Sequence, residues 1–228
     1  MTTHSKNIAL IPARGGSKRI PNKNIVNFLG KPLIAYSIQT AQKSRCFDEI
    51  IVSTDCENIA KIAQEWGAKV PFMRPKELSD DFTPTLEVIT HAIDALELKD
   101  EDKLCCIYPT APLLQEKTIK EAFRVLKNSY VFCACEFDFT PFRSFSFENQ
   151  TLQMLYPEHQ NTRSQDLPSI YHDAGMFYLG YVKTFKEKLP IFSPSSTPII
   201  LPRSQTQDID TPQDLLLAEL KYKAMYES

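Results

Sequence analysis

The chain has 228 residues, 43% of them hydrophobic, which is enough for one sizeable core and, by length, favours a single domain over 1–228. With 26 Lys and Arg against 28 Asp and Glu the formal charge is −2, so no global basic field exists and nucleic acid is excluded as a partner. From Met1 the chain runs through polar residues straight into IALIPAR, and no later apolar run reaches membrane-spanning length, so the expectation is a cytoplasmic protein with no membrane partner.

In chain order, the β-branched run from Asn7 to Pro12 predicts a first strand, followed by a helix over Pro32 to Lys43. A strand from Glu49 to Ser53 and a helix from Glu57 to Trp66 repeat the unit. A helix from about Pro84 to Leu98, a strand from Leu104 to Tyr108, a helix near Glu116 to Lys127 and a strand from Tyr130 to Cys135 extend it. This alternation implies βαβ units, hence an α/β fold: a Rossmann-like three-layer sandwich on a mostly parallel sheet.

Between Phe137 and Pro168 the rhythm breaks into aromatics and turn formers, which predicts an inserted arm or hairpin at about 137–170. Such an arm either closes over its own core or forms an exposed patch used in self-association. Ala174 to Leu179 is expected to return as a strand, and the run IILPRSQTQ to form another. The last helix is predicted from Thr211 as N-cap and Pro212 at its first position, with leucines 215, 216, 217 and 220 as the apolar face. The six cysteines sit mostly in apolar, strand-like runs and are expected to be reduced core residues; Cys133 and Cys135 have no second ligand pair at zinc-finger spacing.

The strongest local signal is IPARGGSKRIPNKN, residues 11–24, which puts Arg14, Lys18, Arg19 and Lys23 in one loop after the first strand. In an open α/β sheet ligands bind at the carboxyl ends of strands, and Gly15 and Gly16 let backbone N–H groups turn toward an anion. The loop matches neither the P-loop nor the dinucleotide fingerprint, so a different phosphate-binding loop is required. Near the C-terminus, Asp208-x-Asp210 places two carboxylates on one side of an extended segment, close enough to share a hard cation; a solvated turn is the bland alternative.

The loop contains every fixed position of A-R-x-x-S-K-x-x-x-x-K-N, and in this it resembles the N-terminal signature of the CMP-sugar synthetases. The resemblance continues through IIVSTD (50–55), RPKELSDDFTPT (74–85), YPTAPL (108–113) and QDIDTPQDL (207–215), nearly the whole chain. It implies a cytidylyltransferase with Arg14, Lys23, Asp208 and Asp210 as catalytic residues and Mg2+, or another divalent cation, on Asp208 and Asp210. The nucleotide-binding set it implies is Leu10, Pro12, Ala13, Arg14, Gly15, Gly16, Ser17, Lys18, Lys23, Asn24, Arg74, Thr85, Tyr108 and Thr110. Arg74 and Thr85 would hold the cytidine; the alternative for Arg74 is a surface ion pair with Glu77 or Asp80.

Two departures matter. Tyr108 stands where sialate synthetases commonly carry glutamine, so a phenol replaces the amide, and backbone near Leu10 and Pro12 is left to read the pyrimidine edge. The acceptor stretch TRSQDLPSIYHDAGMFYLG (162–180) carries Asp173-Ala174-Gly175 where sialate members read N-G-A, which resembles the pseudaminic acid branch. Arg163, Gln165, Tyr171, His172 and Asp173 are the implied acceptor contacts, His172 having a hinge or core role as its alternative. The expected partners are therefore CTP and a nonulosonic acid, with pseudaminic acid first and sialic acid, legionaminic acid or Kdo behind it, and a second copy of the chain in a homodimer. UTP- or GTP-dependent transfer to a sugar phosphate and a non-catalytic CTP-binding protein are the rival classes.

Overall fold

The computed structural model describes residues 5–226. Its centre is a six-stranded sheet built from β1 (Asn7–Pro12), β4 (Glu49–Ser53), β5 (Lys103–Ile107), β6 (Val131–Glu136), β9 (Tyr171–Tyr181) and β10 (Thr197–Leu201), in the order β10-β6-β9-β5-β1-β4. The pairs β1–β4, β1–β5 and β10–β6 are parallel, while β9 runs antiparallel between β5 and β6. Two short strands, β2 (Asn27–Phe28) and β3 (Lys31–Pro32), pair beyond the loop that follows β1, and β7 (Phe145–Glu148) pairs with β8 (Thr151–Met154).

Parallel strands covered on both faces need apolar residues at successive positions, and β1 meets that need. Ala9 and Ile11 face the helices α1 (Leu33–Ser44), α2 (Glu57–Glu65) and α4 (Glu116–Val125), whereas Ile8 and Leu10 face α3 (Thr85–Ala95) and α5 (Val182–Lys186). Each layer buries its own cluster, so the sheet is the middle of a three-layer sandwich. Cys105 and Cys106 point to opposite faces, and Cys133 and Cys135 share one; all are free, and burial pushes the Cys105 and Cys133 thiols well up.

Three expectations need correction. The returning strand is longer than Ala174 to Leu179 and lies inside the sheet, with a register shift opposite Phe132 and Ala134 and Gly175 at φ +60°. The run after Leu201 is not a strand: Arg203–Gln205 is a 3-10 turn, and the aspartate pair sits in the extended connection to α6 (Pro212–Tyr226). In α6 the inward stripe is Ala218, buried, with Leu215 and Tyr222, partly buried, packed on Phe28, Leu33 and Tyr36, and Leu216, Leu217 and Leu220 face outward. Positions 215, 218 and 222 follow the helical period, and a run of adjacent leucines cannot occupy one face of a helix. Thr211 does start this helix: its hydroxyl accepts the Asp214 N–H at 3.3 Å while Asp214 Oδ2 accepts the Thr211 N–H at 2.7 Å, a reciprocal cap.

The segment at 137–170 holds the β7–β8 hairpin, closed by Asn149 and Gln150 at φ 49° and 62°, the left-handed pair that a two-residue turn requires. Phe139, Phe145, Phe147, Leu152 and Leu155 on this arm are exposed. Among the described residues, no helix is long and apolar enough to cross a membrane.

Candidate active site

Chain connections leave β1 toward β4 on one side and cross back to β5 on the other, so the direction of winding reverses between β1 and β5. A crevice opens outside strand ends at such a point. There the structure has a cavity of about 240 Å³ lined by Pro12 and Arg14 after β1, Tyr108, Pro109 and Thr110 after β5, and Thr85 at the start of α3. Ser17, Lys23, Asn24 and Arg74 complete the part of its wall that the sequence pointed to.

The loop after β1 is fixed by polar groups within it and beside it. Asn24, buried at 4% exposure, donates from Nδ2 to the Arg14 carbonyl at 2.8 Å, and the Gly15 N–H donates to Asp55 Oδ1 at 2.9 Å. A side chain at Gly15 would bring its Cβ to 3.0 Å from Cys56 Cβ, so glycine lets the loop pack tightly against the start of α2. Leu10 and Ala13 are fully buried, so any contact they make with a ligand is through backbone. Gly16 and Lys18 stand outside the cavity lining, and Lys18 reaches across the loop to Asp81.

Asp81 is the residue the sequence reasoning missed. Its carboxylate bridges Arg14 Nη1 at 2.6 Å and Lys18 Nζ at 2.5 Å, and these cations hold it below the ordinary carboxylate range. The only sequence signal was its place in SDDF, seven residues beyond Arg74, beside a neighbour, Asp80, that is occupied by capping Phe82 and Thr83. Arg74 itself is 5% exposed, donates from Nε to Ser79 Oγ at 3.1 Å, and lies 3.9 Å from Asp55 rather than pairing with Glu77 or Asp80. Burial lowers its affinity for the proton, which marks a cation kept out of water.

At the other wall Lys23 joins two segments 187 residues apart: Nζ donates to the Ile209 carbonyl at 2.7 Å and to Asp210 Oδ1 at 3.2 Å. Arg19 Nη2 reaches the same oxygen at 2.8 Å. Ile209 is buried in the α6 cluster, so alternation turns Asp208 and Asp210 outward on either side of it. Desolvation, then the charge of Asp210, raises the Asp208 carboxyl above its usual range. The pair offers hard oxygen donors and no sulfur, which fits Mg2+. Among the described residues no three His, Cys, Asp or Glu side chains gather to cage an ion, so a cation here would take its other ligands from phosphate and water.

Asp208 also lines a second cavity of about 370 Å³ together with His172, Asp173 and Lys221. His172 packs edge-on against Phe137 at 4.8 Å, at the root of the arm. Gln165 lines a third, larger cavity of about 890 Å³ within the arm, beside Arg143 and Arg203. Arg163 is ion-paired with Asp166 at 2.7 Å on the arm surface, and Tyr171 is 48% exposed at the start of β9; these two are not drawn together with His172 and Asp173.

A sequence profile of the cytidylyltransferase family matches residues 8–222. The pseudaminic acid cytidylyltransferase of Campylobacter jejuni subsp. jejuni serotype O:23/36 (strain 81-176) is 47% identical over 98% of this chain and 99% of its own length. The CMP-N,N'-diacetyllegionaminic acid synthase of Legionella pneumophila is 33% identical over 93% of this chain and 94% of its own. A CMP-2-keto-3-deoxy-manno-octonic acid synthetase solved with CTP superposes at a TM-score of 0.69, covering 98% of this chain and all of that one; at 16% identity it speaks for the fold alone.

Proposed function

The chain belongs to the cytidylyltransferase family, and on that premise we propose that it transfers CMP from CTP to pseudaminic acid, giving CMP-pseudaminic acid and pyrophosphate. The observation that carries the choice of acid is the 47% identity to a pseudaminic acid cytidylyltransferase across essentially both full lengths, against 33% to the legionaminic acid enzyme.

In this reading the base and ribose enter the β1–β5 cavity against Arg74, Thr85 and Tyr108, and the triphosphate lies along Arg14, Ser17 and Lys23, with Lys18 beside the cavity on Asp81. The acid binds in the adjoining cavity by His172 and Asp173, with Gln165, Arg163 and Tyr171 reaching it only if the arm moves toward it. The anomeric hydroxyl attacks the α-phosphorus, the bond to the β-phosphate oxygen breaks, and pyrophosphate leaves. Chemistry of this kind depends on positioning and on charge neutralisation along the departing diphosphate, which four loop cations can provide. A divalent cation on Asp208 and Asp210 would polarise phosphate oxygens and favour ionisation of the attacking hydroxyl. Before any triphosphate binds, Asp81 and Asp210 occupy Arg14, Lys18, Arg19 and Lys23, so binding exchanges carboxylate for phosphate at fixed cations.

The exposed aromatic face of the arm supports a homodimer in which that face is covered. A cytoplasmic location suits a CTP-dependent enzyme whose buried cysteines are all free. Pyrophosphate release by purified protein with CTP, Mg2+ and pseudaminic acid tests the proposal, with Asp208→Asn as the control; no release with any nonulosonic acid refutes it.

A further inference from the structure

A 2-keto sugar acid carries its carboxylate on the carbon next to the one that bears the attacking hydroxyl. The group that anchors this carboxylate must therefore stand at a fixed distance from the residues that face the reacting oxygen. The cavity of about 370 Å³ beside Asp208 is poorly suited to an anion, because Glu136, Asp138 and Asp173 line it as well. A carboxylate that enters such a place without a cation of its own gives up water and meets like charge.

Two permanent cations line the cavity, Arg203 and Lys221. Arg203 is spent on the root of the arm: Nε lies 3.1 Å from Asp138 Oδ1, and Nη2 donates to the Phe137 carbonyl at 2.6 Å. His172 gives its Nδ1–H to the Asp173 carbonyl at 2.8 Å. Lys221 differs from both. From α6 its half-buried side chain reaches the segment before the aspartate pair, where Nζ donates to the Thr206 carbonyl at 2.7 Å and to Gln207 Oε1 at 3.0 Å. Both partners are neutral, and among the described residues no ion pair compensates its charge. An ammonium has three N–H donors, so one remains for the cavity. Gln207 sets the spacing, since its Nε2 donates to the Asp208 carbonyl at 3.0 Å while its Oε1 accepts from Lys221. A single amide thus ties the ammonium to the backbone of Asp208.

We propose that Lys221 is a substrate-binding residue for the acceptor: its charge and its remaining N–H hold the carboxylate of the nonulosonic acid, so that the hydroxyl on the adjacent carbon is presented toward Asp208. The inference rests on the reading of this cavity as the acid site. It also gives the enzyme a means of telling an acid from a neutral sugar. A carboxylate supplies the counter-charge that Lys221 lacks, whereas a neutral group in the same place leaves the ammonium uncompensated, and an unpaired polar group is the stronger source of discrimination. Lysine suits this task because its ammonium is a point charge on a long stem, able to serve two fixed oxygens and a ligand together.

The test measures kcat and KM for pseudaminic acid and for CTP by pyrophosphate release, in the wild type, Lys221→Met, Lys221→Gln and Lys221→Arg, with a thermal melt of each. The carboxamide made from the acid's carboxylate serves as a competing ligand of the same shape and no charge. Methionine keeps the stem alone, glutamine keeps a donor for the Thr206 carbonyl, and arginine keeps the charge. In the two neutral variants kcat/KM for the acid is expected to fall about tenfold or more, through KM, with KM for CTP within about twofold of wild type. The preference of the wild type for the acid over the carboxamide should vanish with it, and arginine should retain it. A folded Lys221→Met protein with acid efficiency within about threefold of wild type overturns the proposal. An equal loss for acid and carboxamide also overturns it, making Lys221 a brace for Thr206 and Gln207, as does loss of the cooperative melt in both neutral variants. A wild type that turns over no nonulosonic acid refutes the proposed function, and this inference with it; unchanged Lys221 variants of an active enzyme sink this inference alone.

Discussion

Replacing Lys23 by methionine separates a phosphate-binding lysine from a structural strut. The Lys23 side chain is 20% exposed and gives Nζ to the Ile209 carbonyl and to Asp210. Each is a charge-assisted hydrogen bond, worth about 1.5–3 kcal/mol. When triphosphate displaces Asp210, one such bond passes to a phosphate oxygen, and its loss in the transition state corresponds to about 10- to 150-fold in kcat/KM for CTP. Methionine also leaves the Ile209 carbonyl without its donor, which costs about 1–3 kcal/mol of stability and lowers Tm by several degrees in a domain of this size. Pyrophosphate release at varied CTP, with a thermal melt of the same preparation, reads both effects. A lowered Tm with kcat/KM inside about threefold of wild type refutes the phosphate role and leaves Lys23 as a brace between the loop and α6.

Asp208→Asn is expected to abolish turnover while raising Tm. Its folded-state carboxyl is raised, so ionisation above the unfolded value costs stability, a cost present at neutral pH and relieved as pH falls below the raised value. Mg2+ should raise the melting temperature of wild type and leave that of Asp208→Asn unmoved. Asp81→Asn frees Arg14 and Lys18, and should tighten CTP binding a few-fold in calorimetric titration at low salt, the gain shrinking as salt is added. Asp81 is held low by those cations, so its contribution to stability is present above the unfolded value and is lost as pH falls through the lowered one. Phe147→Glu, which places a charge on the exposed arm, should shift sedimentation from dimer to monomer with little change in Tm.

Local pattern was enough for the layers of the fold, because β1, β4, β5 and β6 are short apolar runs separated by helices of the right period. The cationic loop at 11–24 was legible for a similar reason: its glycines and cations are contiguous in the chain. What escaped is what depends on contacts far apart in sequence. That β9 enters the sheet antiparallel between β5 and β6 is decided by pairing across 78 and 48 residues, as in Lys103 with Tyr181 and Val131 with Leu179, and no periodicity encodes it. Asp81 and Asp55 are partners chosen by the folded geometry, not by spacing, so the carboxylates nearest Arg14 and Arg74 were not legible, and the alternative pairing of Arg74 with Glu77 or Asp80 is not the one the fold makes. In α6 adjacent leucines masked the true stripe at Leu215, Ala218 and Tyr222.

A competition experiment tests the central claim most directly. Purified protein, CTP and Mg2+ are offered an equimolar mixture of pseudaminic, sialic and legionaminic acids and Kdo, and the CMP-sugars formed at low conversion are identified by mass spectrometry. CMP-pseudaminic acid as the dominant product is the predicted result. Dominance of another CMP-sugar would contradict the substrate assignment, and the absence of any CMP-sugar would contradict the cytidylyl transfer itself.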